Sequence, residues 1–217
     1  IATEGEGEGG AVDTNRSRVA TPLLHAVWKP DPQSRDQLRA SLTRSWRAPN
    51  LSQLIGRPSL NRTDPPPGTN TELTADNAGN PALKPEVALG LDLAVERYLA
   101  DGGVLSANLF HRRIADLIRN VVALEDVSWS PGQPRFVSRP QNIGRAWSQG
   151  IELEAKFRLD QLVGDGPRTE VRANASLFRS KVDAIPGPDN RIAEQPGRTV
   201  NLGADHRFRG TPFTIGA

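Results

Sequence analysis

The 217-residue chain contains no cysteine and no methionine, and aromatic residues make up only 5% of it. Without cysteine there is no disulfide framework, no thiolate zinc site and no thiol nucleophile. Neither charge sign dominates, with 27 Lys and Arg against 25 Asp and Glu. The arginines are scattered between acids, so the chain lacks the electrostatic footprint of a nucleic-acid binder. No run reaches the roughly 18 apolar residues a membrane helix requires, and the mean hydropathy is −0.49. Hydropathy alone therefore argues against a membrane. A chain that begins at Ile1 and ends at Ile215-Gly216-Ala217 without a methionine reads as a piece of a longer protein, so motifs it lacks do not count against any function.

Chemical motifs are missing too. There is no G-x-S-x-G, H-E-x-x-H, P-loop or dinucleotide-binding glycine pattern. His25, His111 and His206 are far apart and have no second ligand at metal spacing. No catalytic residue, no metal and no cofactor is expected.

What the sequence does have is punctuation and alternation. Twenty glycines and eighteen prolines cut the chain into segments too short and too β-patterned for a helical protein. From Trp147 to Leu159 the odd positions are apolar except Gln149, while no even position is. Val87 to Val95, Val171 to Leu177, Val200 to Phe208 and Leu38 to Leu42 alternate in the same way. Each predicts a strand with one apolar and one polar face. Leu105 to Leu117 alternates less cleanly, and the opening strand, Arg18 to Lys29, has an ambiguous phase because Leu23 and Leu24 are adjacent.

The connections form a second pattern. They run short (30–35), long (49–83), short (100–103), long (120–134), short (160–168), medium-long (184–195) and short (209–212). In an up-and-down meander, alternate connections share an end of the sheet, so one end has tight turns and the other long loops. Outer-membrane β-barrels have this asymmetry. Residues 135–159 show no strong turn signal, and as one strand they would project beyond the bilayer. The Gly-Glu repeat from Thr3 to Gly10 reads either as a remnant of another outer loop or, the reading with the greater weight, as a flexible acidic linker of no specific role.

Five stretches resemble the TonB-dependent outer-membrane receptors, in the family's order and across roughly residues 17–217. They are Leu42-Thr-Arg-Ser-Trp-Arg-Ala-Pro-Asn-Leu-Ser-Gln-Leu54; Asn80-Pro-Ala-Leu-Lys-Pro-Glu86; Gly103 to Phe110 with Ile114 to Ile118; Asn142 to Ala146 with Gly150 to Glu154; and Pro196 to Asp205. The resemblance implies an all-β fold: an up-and-down antiparallel transmembrane β-barrel segment, about eight strands of a larger barrel, with short periplasmic turns and long extracellular loops. Residues 1–217 would be one partial barrel domain, with the plug, the TonB-contacting segment and the closing strands lying outside it. The implied function is uptake across the outer membrane of a Gram-negative bacterium of a scarce solute, above all a ferric siderophore, energised through TonB. Its partners would be TonB, that small molecule and outer-membrane lipid, with no nucleic acid.

Within that reading, residues 49–84 and 120–134 stand where substrate arrives. Candidate substrate-binding residues in loop and lumen are Arg47, Asn50, Trp129, Glu152, Arg158, Asn174 and Arg207. The bland readings weigh against several. Arg47-Ala48-Pro49-Asn50 suits a strand terminator, because proline removes a ladder donor. Lys84 and Glu86 suit a rim salt bridge. Glu152 and Glu154 lie at a spacing that paired catalytic carboxylates use, but in a watery lumen they are expected to pair with Lys156, Arg158 or Arg172. Two other classes remain: an outer-membrane enzyme barrel, which needs a nucleophile and base at the rim, and a soluble β-sandwich binding module, whose apolar faces would meet as a core.

Overall fold

Alternation dictates the result: the regular structure of the computed structural model is antiparallel β-strand, apart from one short parallel pair and a few single helical turns. It describes residues 2–6, 12–99, 102–164 and 166–217. In chain order the strands are β1 (Ala2–Glu6), β2 (Val12–Arg16), β3 (Leu23–Trp28), β4 (Gln37–Arg47), β5 (Asp76–Asn77), β6 (Glu86–Tyr98), β7 (Val104–Ala115), β8 (Ile118–Glu125), β9 (Arg135–Asn142), β10 (Ala146–Arg158), β11 (Thr169–Val182), β12 (Arg198–Arg207) and β13 (Thr214–Gly216). One helical turn, α1 (Leu51–Leu54), follows β4.

Eight strands form one sheet in the order β13-β12-β11-β10-β7-β6-β4-β3. Its end strands are not paired with each other, so the sheet is open. Residues 29–36, 99–103, 159–168 and 208–213 make the short connections. Residues 48–85, 116–145 and 183–197 make the long ones, and the predicted alternation holds throughout.

The ladders fix which side chains share a face. Leu153 lies opposite Ala175, and Ile151 opposite Leu177. Ala173 lies opposite Leu202, and Ala175 opposite Val200. These positions, with Leu89 to Val95 on β6 and Leu38 to Leu42 on β4, form one apolar face. Among the described residues its leucines on β4, β6, β10, β11 and β12 are left open, from 40% exposure at Leu38 to 77% at Leu202, with Ile151 half-buried. An exposed aliphatic surface this extensive marks a face that meets a membrane or a partner. The soluble-sandwich alternative requires these side chains to be a core, and they are not one. Pairing also settles the phase of β3. Leu24 faces Leu42 and Trp28 faces Leu38, while His25 faces Ser41, so Leu24, Ala26 and Trp28 join the apolar face.

The other face holds every acid of this sheet: Glu86, Asp92, Glu96, Glu152, Glu154, Glu170 and Asp205, each on the opposite parity from its strand's apolar row. Gly150 lies on this face against Phe110. A Cβ there would sit 2.8 Å from the Phe110 ring and 2.5 Å from the Leu177 carbonyl oxygen. Glycine is thus what allows Phe110 to pack beside Phe178, with ring centroids 5.9 Å apart.

Contacts divide the chain into two units. One comprises residues 1–21, 45–88 and 114–145; the other comprises 22–44, 89–113 and 146–217. The first contains a three-stranded sheet, β5-β9-β8, with β5 parallel to β9. Its small apolar core is Leu54, Leu83 and Ile118.

Four expectations need correction. Residues 135–159 are not one strand. They break at 143–145, where Gly144 takes φ +110°, and β9 belongs to a different sheet from β10. The predicted loop 120–134 is mostly a hairpin, with β8 pairing β9 from Ile118↔Asn142 to Glu125↔Arg135. The Gly-Glu repeat is not simply a linker, since Ala2–Glu6 pairs with Val12–Arg16; Gly7 to Gly10 lie outside the described residues. The opening strand starts at Leu23, not Arg18.

Candidate functional site

The polar face of the eight-stranded sheet presents a concavity of about 660 Å³. It is lined from six neighbouring strands by side chains that include His25, Arg39, Asp92, Glu96, Asn108, Glu152, Glu154 and Asn174. Strand alternation alone puts them there: each is the solvent-facing partner of an apolar residue one position away.

Five cations of this face are already engaged. Arg39 pairs with Glu96, which also accepts hydrogen bonds from Gln37 Nε2 and the Tyr98 hydroxyl, both at 2.7 Å. Arg112 reaches Asp92 at 3.2 Å and stacks over Phe110. Arg172 bridges Glu170 at 3.0 Å and Asp205 at 2.7 Å. Lys156 lies 3.7 Å from Glu170, and Arg158 turns to Asp160 at 3.0 Å. The cations expected to neutralise Glu152 and Glu154 therefore serve other acids. Glu152 instead accepts from Asn108 Nδ2 at 3.1 Å, and among the described residues Glu154 has no ion pair. What the concavity presents is carboxylate oxygen, amide and hydroxyl.

The predicted binding residues separate into two groups. Glu152 and Asn174 both line this concavity, where Asn174 Oδ1 accepts from Asn201 at 2.7 Å. Arg158 and Arg207 lie on the same face, at the short-turn ends of β10 and β12. Arg47, Asn50 and Trp129 belong to the other unit, where each holds local structure. Arg47 closes β4 and pairs with Glu86 at 2.8 Å, so the rim pair expected of Lys84 and Glu86 forms with Arg47 instead. Glu86 also accepts the Ile118 backbone N–H at 2.8 Å. Asn50 precedes α1, its own N–H capped by Gln53 Oε1 at 2.9 Å. The Pro49 terminator is as expected, with helix in place of strand after it.

Trp129 leads to a cluster that residue spacing did not reveal. Its Nε1 donates to Asp76 Oδ2 at 3.0 Å. Arg135 Nε donates to the same oxygen at 2.6 Å, and both side chains are fully buried. Asp76 Oδ1 accepts from Asn61 N–H at 2.9 Å and from Arg135 Nη2 at 3.0 Å. Arg135 also binds the carbonyl oxygens of Asp64 and Gly68, pinning the Asp64-Pro-Pro-Pro-Gly68 segment. Burial alone raises the Asp76 carboxyl, but the hydrogen bonds from Arg135, Asn61 and Trp129 outweigh it and leave the pKa below its ordinary 3.8. The bond to Asp76 correspondingly raises Arg135. Charges this deep persist only when paired and fully hydrogen-bonded.

Comparison with known proteins accords with this geometry. Residues 3–217 match the family model described as TonB dependent receptor-like, beta-barrel. Heme/hemopexin utilization protein C of Haemophilus influenzae is 26% identical over 148 residues, which are 64% of this chain and 19% of that protein. Among solved structures, the chain is similar to the FrpB iron transporter of Neisseria meningitidis, with 17% identity and TM-score 0.62 over 99% of this chain and 28% of that one. It is also similar to the siderophore receptor PirA of Pseudomonas aeruginosa (15%, TM-score 0.60, 94% and 35%). The ferric enterobactin receptor of the same organism gives 19% and TM-score 0.59 over 88% and 26%. The chain thus spans about a fifth of the curated relative and a quarter to a third of these structures. The solved neighbours are an iron transporter and two siderophore-type receptors.

Proposed function

The chain belongs to the TonB-dependent receptors, and we propose that the intact protein is an outer-membrane receptor that takes up an iron-bearing solute, a ferric siderophore first among candidates, with energy delivered through TonB. The observation that carries this reading is the two-sidedness of one sheet. Its uncovered aliphatic face suits lipid and its acid-bearing face suits a water-filled lumen. Residues 1–217 would be part of one barrel, with the long connections outside and the short turns in the periplasm.

In that arrangement the solute meets the long connections first and then passes polar groups such as Glu152 and Asn174. TonB would act through a region not in this chain. No bond is made or broken. Arg47, Asn50 and Trp129 would shape the outer connections more than grip the solute, since their polar atoms already serve the fold.

A haem-uptake reading is the alternative, favoured by the sequence match to the haem utilisation protein. Uptake of radiolabelled ferric siderophores by a strain deleted for the full-length gene, with and without the gene restored, separates the two. Restored, TonB-dependent accumulation of one ferric siderophore is expected. Restored growth on haem with no siderophore accumulation selects the haem reading, and restoration of neither overturns iron uptake.

A further inference from the structure

Arg39, Arg47, Arg112, Arg158 and Arg172 of the polar face are ion-paired, yet a second set of cations stands on the apolar face, where no strand of the sheet carries a carboxylate. Parity and register place Arg44, Arg113, Arg179, Lys181 and Arg198 outward. Arg179 and Lys181 continue the row of Leu177 on β11, and Arg198 lies opposite Leu177. Arg113 continues the row of Leu109 and His111 on β7, and His111 bonds Gln149 on the same face. Arg44 follows Leu42 on β4. All five are exposed.

All five stand toward the long-connection ends of their strands: Arg44, Arg179 and Arg198 directly flank Leu42, Leu177 and Val200 in their rows, Lys181 follows Arg179, and Arg113 lies between His111 and Ala115. Among the described strand residues of the sheet, Arg97 alone is an outward cation at the short-turn end. No strand of the sheet carries an outward acid. Arg179 and Lys181 are about 7 Å apart along their strand, and Arg198 lies diagonally about 7–8 Å from Arg179. Like charges this close repel unless an anion lies between them.

We infer that this belt binds the phosphate groups of anionic lipid in the outer leaflet. Charge complementarity and continuity with the aliphatic band select lipid over any other occupant, because a phosphate at the depth where the band ends meets several cations while its acyl chains lie on Leu177, Val200 and Leu202. The inference rests on the reading that this sheet spans a bilayer with its long connections outside.

The test uses the full-length protein in nanodiscs of phosphatidylcholine with a minor fraction of phosphatidic acid. The lipid retained after mild extraction is identified by native mass spectrometry. Unsubstituted protein is expected to enrich phosphatidic acid, and retention is expected to fall about fivefold for each charge removed in Arg179→Gln with Lys181→Gln, and further when Arg44, Arg113 and Arg198 are also changed to Gln. Arg97→Gln should have no effect, and inorganic phosphate should not displace the lipid. Undiminished retention in the multiple variant, or displacement by inorganic phosphate, overturns the belt. Failure of the unsubstituted protein to enter pure phosphatidylcholine discs overturns the bilayer reading beneath it, whereas insertion without lipid preference overturns the belt alone.

Discussion

Leu153→Lys and Leu202→Lys, made singly in the full-length protein, are each expected to lower its stability in lipid vesicles by about 2–4 kcal/mol, the cost of a lysine on the lipid face near mid-bilayer. Both sit centrally in the aliphatic band, Leu153 opposite Ala175 and Leu202 opposite Ala173. Asn174, between those two alanines in sequence, points the other way. Asn174→Lys should stay within about 0.5 kcal/mol, as an ordinary solvent-facing substitution does. Leu153 and Leu202 are two strands apart, so the double variant should show roughly the sum. Urea unfolding from vesicles measures all four. Equal losses on the two faces would contradict a sheet that separates lipid from water.

Asp76→Ala is expected to cost about 3–5 kcal/mol, the usual result of removing one partner of a buried pair. It leaves the Arg135 guanidinium buried without its carboxylate and strips Trp129 Nε1 and the Asn61 N–H of their acceptor. Limited proteolysis of the full-length protein should then cut within residues 58–77 and 126–135, while the eight-stranded sheet stays protected. Replacing Asp76 and Arg135 together by Leu and Met should do less harm, because no uncompensated charge remains. The pH dependence has a definite sign. Asp76 is lowered in the folded protein, so its stabilisation is fully present above the unfolded value near 3.8 and is lost as pH falls through the lower folded value. Protease resistance of this segment should therefore persist at pH 4 (roughly the unfolded value) and fail only in stronger acid. Resistance lost well above that range, or unaffected by Asp76→Ala, would contradict the assignment.

The strands were legible because period-two alternation is a local signal, and a sheet between lipid and water shows it in pure form. The placement of Glu152 and Asn174 on one face followed from parity alone. The loop architecture was less legible. Asp76 and Arg135 are 59 residues apart, and nothing in either neighbourhood marks them as partners; a buried arginine announces itself only once its burial is known. Gly144 was visible as an isolated glycine, but its positive φ, which breaks β9 from β10, depends on the hairpin across from it, where the Leu117 N–H bonds the Gly144 carbonyl at 2.9 Å. Trp129 stood as a candidate substrate contact in the second long loop; that its indole N–H bonds Asp76 nothing in the sequence indicates. The outward cations were in plain view but carried no meaning until register showed that no acid shares their face.

The most direct test of the two-faced sheet exploits the absence of cysteine from this chain. Leu153→Cys and Glu154→Cys differ by one position and lie on opposite faces. In the full-length protein in vesicles, a membrane-impermeant maleimide should label Glu154→Cys and leave Leu153→Cys unreacted, while a fluorophore at Leu153 should be quenched by lipid carrying a nitroxide in its acyl chain. Equal labelling at the two positions, with no lipid quenching at Leu153, would contradict the account.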